Sequence, residues 1–462
     1  MTFRENYLRM ARFEGPDYIP MSYCINGACW DAYPQEQLLD LMEAHPFLFP
    51  DFKRPKTPIK LDFHPVARKD VPYRDDWGCI WETTQDGITG TVTGHPLADW
   101  ESFKAYLPPD PEKVMGIGPI DWVEEAKSVA AARERGDFVG RSLRHGHTFL
   151  QLCDIRGYEN LLFDMVDEDP RLWELIDMVE QFNLGLVTRY CALGVDMMGY
   201  AEDLGMQRGP MLSPDQFAKY ILPSYRRLIR PARESGALIH MHSDGDLHML
   251  LDDILSVGVD IINLQDLVNG IDWIKENLAG KRCIELDIDR QLVTVSGTPK
   301  DIDRLIRSEV KALGSKQGGL CMIYGLYPGT PIENAAMVMD AMEKYAFISL
   351  DPLKAQDRTR AAAWRGSGKD SGRRAGQVWF YGSGKIKISS MGASTARAMS
   401  TASFREGLYW AFSSRMMVSR RTPTRAASCS WVRPFRCRYS FRLQVNSATP
   451  YSSPSSIWSS WS

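Results

Sequence analysis

The chain has 462 residues, 44% of them hydrophobic, and a formal net charge of −3, which is room for one large domain and something more. That sum hides a split: residues 1–350 carry 36 Lys+Arg against 54 Asp+Glu, a net of −18, while residues 351–462 carry 19 against 4, a net of +15. So acidic a body is a poor attractor for a polyanion. No run approaches the ~18 apolar residues of a membrane span. The opening Met1-Thr2-Phe3-Arg4-Glu5 lacks the apolar stretch of a signal peptide, and nine scattered cysteines show no disulfide framework, so a cytoplasmic setting is expected.

In chain order, Tyr18–Tyr23 reads as a first strand. A hairpin follows, Gly78–Thr84 and Thr89–Thr93, turning at Gln85-Asp86-Gly87 and expected to lie over a barrel mouth. From Gly136 to Phe347 short apolar strands alternate with amphipathic helices. The strands are Phe138–Leu143, Asp196–Ala201, Ala237–His242, Asp260–Leu264, Cys283–Leu286 and Leu320–Tyr324. Helices start at Asp169-Pro170, Ser213-Pro214, Thr298-Pro299 and a capping box at Thr330-Pro331-Ile332-Glu333; they stop at Gly236, Gly258, Gly280 and Gly314. Such alternation predicts a parallel sheet covered by helices. The expected fold is an α/β (β/α)8 TIM barrel over residues 1–350, with one strand still to be found between about 25 and 135. Beyond Leu350 leucine, acidic residues and apolar period are lost together, and arginine outnumbers lysine 15 to 4. Residues 351–462 read as a disordered or out-of-frame basic, Ser/Arg-rich segment outside the barrel; the alternative is a genuine basic appendage, the one part of the chain suited to nucleic acid.

Polar groups gather where successive strands end. Arg144, His145 and His147 follow the strand at 138, Glu202 and Asp203 the strand at 196, Gln265 and Asp266 the strand at 260, and Asp287 and Asp289 the strand at 283. Tyr324 and Tyr327 end the last strand. His240, His242 and Asp244 alternate along one strand, so all three share a face, a pattern suited to metal ligation or proton transfer. In a parallel barrel these ends form one rim, where such folds keep their chemistry. His145 and His147 could equally be solvated, His240 a core histidine, and Glu202-Asp203 a partner of Arg208. Nucleotide loops, His-Glu-x-x-His and Gly-x-Ser-x-Gly are missing from the sequence.

Residues Gly194-Val195-Asp196, Glu202-Asp203-Leu204-Gly205, Pro210-Met211-Leu212-Ser213-Pro214, His242-Ser243-Asp244-Gly245-Asp246 and Tyr327-Pro328-Gly329-Thr330-Pro331 together resemble the uroporphyrinogen decarboxylase superfamily over about residues 1–348. The resemblance implies a (β/α)8 barrel with its site at the C-terminal rim. It also implies one of two chemistries: decarboxylation, or methyl transfer involving a corrinoid protein. True decarboxylases of this kind open with an arginine-rich loop, which Asp17–Tyr23 lacks. In the methyltransferases a His-x-Cys pair and a distant Cys hold zinc; here His242 takes the histidine position, Asp244 the first cysteine and Tyr324 the second. The resemblance thus points to metal-assisted methyl transfer from a small methylated substrate to a corrinoid partner. His242, Asp244 and His240 are expected as ligands of zinc or another divalent metal, Glu202, Asp287 and Tyr324 as catalytic groups, and Arg144, Gln265 and Asp266 as substrate contacts. Decarboxylation of a tetrapyrrole or smaller acid is the alternative; a third is a non-enzymatic binding barrel.

Overall fold

A computed structural model describes residues 1–348; the basic segment 351–462 lies outside the described residues. Ten strands are present among the described residues: β1 Met21–Ile25, β2 Tyr73–Arg74, β3 Ile80–Glu82, β4 Thr91–Gly94, β5 Gly140–Ser142, β6 Met197–Ala201, β7 Leu238–His242, β8 Ile261–Gln265, β9 Cys283–Asp287 and β10 Leu320–Leu326. Seven of them form one parallel sheet in the order β1-β10-β9-β8-β7-β6-β5. The remaining three form a small antiparallel sheet, whose β3–β4 pair is the expected hairpin. The expected eight-strand ring is therefore a TIM-barrel-like sheet of seven strands among the described residues, with β1 and β5 at its edges. The stretch between them builds the small sheet and loops instead of an eighth strand.

The sheet is curled, and the packing at its floor shows it. Tyr7 and Met10, on helix Phe3–Ala11, pack in one cluster with Phe138, Met197, Leu238, Ile261, Cys283 and Cys321, the first inward residues leading into or along β5 to β10. One short helix can touch six successive strands only if they wrap around it. Thr2 starts that helix with a complete capping box against Glu5.

Several helices begin where their cap residues dictate. Asp169 receives the Arg171 N–H, Ser213 the Gln216 N–H, and Thr298 forms a capping box with Asp301. After Ser213 the helix passes through a π-turn at Phe217–Ile221 just before Pro223, which has no N–H to continue the regular ladder. Two expectations fail. The helix Ile332–Ala346 has no side-chain cap, because Pro331 rather than Thr330 takes the N-cap position. Gly314 ends its helix at φ −70°, whereas Gly236, Gly258 and Gly280 are left-handed as expected.

Candidate active site

Strand alternation decides which side chains enter the lumen. On β7 the inward set runs Leu238, His240, His242; on β6 it runs Met197, Gly199, Ala201 and on to Asp203. Just past the strand ends, the loops after β6 and β7 touch backbone to backbone. A Cβ on Gly245, at φ +84°, would sit 2.2 Å from the Gly205 carbonyl carbon, so only glycine fits. That contact brings Asp203 beside Asp244: the Gly205 N–H donates to the Asp244 carbonyl at 3.1 Å, and the Asp244 N–H to Asp203 Oδ1 at 3.2 Å.

Asp203 Oδ1 is the hub. His145 Nε2 lies 3.1 Å from it and His242 Nε2 3.3 Å. Donor atoms of His145, Asp203 and His242 all lie within 4.8 Å of one another, and all three residues are buried. Asp244 Oδ1 is 3.9 Å from His242 Nε2 and 3.6 Å from Arg290; it is buried and accepts no hydrogen bond. Arg290 in turn pairs with Asp287 at 2.6 Å and lies over the Tyr327 ring. The polar rim is therefore continuous from the loop after β5 to the loop after β10.

Electrostatics follow from this packing. Burial works against charge on Asp203, yet His145 and His242 hold its carboxyl well below the usual range. Burial alone would lower the His242 pKa, but Asp203, Asp244 and Asn263 lift it to about 9. His147 goes the other way: burial, then His145 and Arg144, push it down to about 3. Two imidazoles and two carboxylates without thiolates form a nitrogen and oxygen donor set suited to zinc or a similar divalent ion. The orphaned Asp244 oxygen beside the three converging donors is where a further ligand would be needed, so these residues fit such an ion.

The other expected site residues take varied places. His240 lies a layer below His242, its Nε2 2.9 Å from Glu285. Glu202 faces away from the hub; its carboxylate receives the N–H groups of Thr148 and Leu150, both at 2.9 Å, and the Tyr225 hydroxyl. Burial raises its pKa to about 7 against the pull of those donors. Arg144 is buried against Asp154 at 2.7 Å and Asp75 at 3.7 Å. Gln265 accepts the Gly245 N–H, and Asp266 the Asp289 N–H. Tyr324 packs against Tyr23 with the ring centroids 5.2 Å apart and the planes tilted by 39°. His145 and His147 are buried, not solvated, and Arg208 is exposed without a bond to Glu202 or Asp203. His145 and Asp203 were not expected as ligands. Asp203 could have been found, since it continues the inward alternation of Gly199 and Ala201.

Small residues recur on other inward-facing strand positions. Ser22 and Cys24 on β1, Gly140 and Ser142 on β5, and Gly325 on β10 are half-buried, unlike the sealed inner faces of β7 and β9. By register Ser22 stands opposite Ile323 and Cys24 opposite Gly325, on the inward face shared with Cys321.

Comparison with known proteins agrees with this architecture. The family model described as uroporphyrinogen decarboxylase (URO-D) matches residues 90–345, more than half of the chain. A curated uroporphyrinogen decarboxylase from Carboxydothermus hydrogenoformans is 24% identical over 147 residues, 31% of this chain and 40% of its own length. The matched stretch thus spans about two fifths of that relative. A solved methyltransferase from Methanosarcina mazei superposes on 75% of this chain and 99% of its own, with a TM-score of 0.51 and 15% identity, a likeness of fold.

Proposed function

Given that the chain belongs to the uroporphyrinogen decarboxylase family, we propose that it is a divalent-metal-dependent methyltransferase, moving a methyl group from a small methylated substrate to a corrinoid protein. The observation that carries this reading is the convergence of His145, Asp203 and His242, with the orphaned Asp244 oxygen beside them. These four residues would hold the ion. When bound, it would act as a Lewis acid on the heteroatom that carries the methyl group.

The chain's own residues supply the rest. Asp203 keeps its negative charge at any physiological pH and orients both imidazoles. Arg290, anchored by Asp287, sits beside Asp244 and balances the second carboxylate. Glu202 fixes the loop that carries His145, through the Thr148 and Leu150 N–H groups.

Decarboxylation is the second reading, and one observation favours it: without metal, His242 is protonated between two carboxylates and is a general acid. A polycarboxylate would need free cationic groups to bind it. Arg144 is spent on Asp154 and Asp75, and Arg290 on Asp287. Metal analysis of the purified full chain separates the two. Methyl transfer to free cob(I)alamin that is lost with chelator and in His242→Ala supports the first reading; metal-free protein that releases CO2 from a polycarboxylate in the presence of chelator overturns it.

A further inference from the structure

His242 reaches the hub through one ring nitrogen, and the other is held from behind. His242 Nδ1 meets Asn263 Oδ1, on β8, and the two residues stand opposite each other in the parallel register. Which end of the Asn263 amide faces the ring is dictated by a third group. Asn263 Nδ2 donates to the main-chain carbonyl of Glu285 at 2.9 Å, and a carbonyl can only accept. A reversed amide would set oxygen against oxygen there, so Oδ1 is turned to the imidazole. Oδ1 is itself only an acceptor, which requires the hydrogen of the neutral ring to sit on Nδ1. The lone pair is then on Nε2, the atom 3.3 Å from Asp203 Oδ1.

We infer that Asn263 is a positioning residue: it fixes the tautomer of His242 and presents Nε2 to a divalent cation. The inference rests on the metal reading of the hub proposed above. Fixing a ligating imidazole through its other nitrogen is how such sites gain orientation and affinity. The layer below offers a contrast. His240 Nε2 faces the Glu285 carboxylate directly at 2.9 Å, a buried pair that leaves that nitrogen engaged. On β7 the two histidines are therefore held differently, one closed on a carboxylate and one opened toward the hub by a neutral amide.

Zinc titration of the metal-stripped full chain against a chromophoric chelator tests this. Asn263→Leu removes the acceptor and is expected to weaken zinc binding by roughly 10- to 100-fold. Asn263→Asp keeps an acceptor for Nδ1–H but sets an oxygen against the Glu285 carbonyl; it is expected to melt at a lower temperature than the wild type yet to bind zinc more tightly than Asn263→Leu. If both variants lose affinity equally, Asn263 matters only as a strut between strands and the inference is overturned. Nitrogen-15 NMR of the His242 ring, recorded on metal-free protein above its titration, gives a readout independent of metal. An Nδ1–H tautomer in the wild type, lost in Asn263→Leu, supports the inference; an Nε2–H tautomer in the wild type overturns it. Wild-type protein that binds no zinc overturns the metal reading instead, while the tautomer still decides what Asn263 does.

Discussion

Asp203 places one carboxylate oxygen 3.3 Å from His242 Nε2, and this pair sets how the site responds to pH. His242 holds its proton up to about pH 9, chiefly because of Asp203 once the opposing effect of burial is overcome. Its folded pKa lies above the ordinary 6.5, so its protonation stabilises the metal-free protein fully below about 6.5, and that contribution fades as pH climbs through 9. A cation bound at Nε2 must displace that proton. Apparent zinc affinity should therefore rise about tenfold per pH unit between roughly 6.5 and 9, then flatten. Asp203→Asn should move the flattening to lower pH and weaken binding throughout; a flat affinity profile from pH 6.5 to 9 would show that His242 is not a ligand.

Glu202 makes its bonds to the chain rather than to the hub. The Thr148 and Leu150 N–H groups and the Tyr225 hydroxyl converge on its carboxylate. Glu202→Ala leaves these buried donors without an acceptor, at a cost of about 1–3 kcal/mol for each group stranded. A melting temperature several degrees lower, together with weaker metal binding through the loosened His145 loop, is the expected outcome. Should Glu202→Gln instead melt like the wild type and lose only turnover, then Glu202 acts on substrate directly.

Much of this was legible in the chain. Apolar runs located the strands of the large sheet, most plainly β6 to β10, because strands buried on both faces read as near-continuous hydrophobic segments, whereas the edge strands β1 and β5 are half-buried. Caps such as Asp169, Ser213 and Thr298 located helix starts because they act within three residues of themselves. The hub was only half legible. His242 and Asp244 stand out by spacing within one strand, but their partners His145 and Asp203 come from two other strand ends, and no local pattern ties those together. The Glu202 carboxylate illustrates the converse: it looks like a rim acid in sequence, yet main-chain donors of the preceding loop claim it. The Thr330 capping box failed because Pro331 takes the N-cap position, while the Thr330 carbonyl receives the Tyr33 hydroxyl at 2.7 Å.

The barrel floor offers a test remote from the chemistry. Met10 is fully buried among Cys283 and the neighbouring strand starts, its sulfur 3.0 Å from Cys283 Sγ. Met10→Ala opens a cavity there and should cost about 2–5 kcal/mol. Thermal unfolding should shift down accordingly, with zinc affinity at 20 °C unchanged. An unaltered melting temperature would mean that the helix Phe3–Ala11 does not plug the barrel.

Beneath the rim, Asp266 and Glu309 form a buried pair of carboxyl groups. Asp266 follows β8, at the start of the short helix Asp266–Asn269, and accepts the Asp289 N–H at 2.8 Å; Glu309 comes from the helix Pro299–Leu313 and is sealed from solvent. Burial raises both, Asp266 to about 6 and Glu309 well above the usual carboxylate range, where the neighbouring Asp266 adds to the effect. Two such groups in contact share a proton. Because each folded pKa exceeds its unfolded value, the pair stabilises the fold below about pH 4, and the contribution is lost as pH rises through 6 and beyond. Glu309→Gln keeps a donor for Asp266 and removes the second charge. It should raise the melting temperature at pH 8 by roughly 2–6 °C, with the gain shrinking toward pH 5. A gain that stays constant across that range would show that the pair does not titrate with folding, and a loss at pH 8 would show that the Glu309 carboxylate is stabilised by a group other than Asp266.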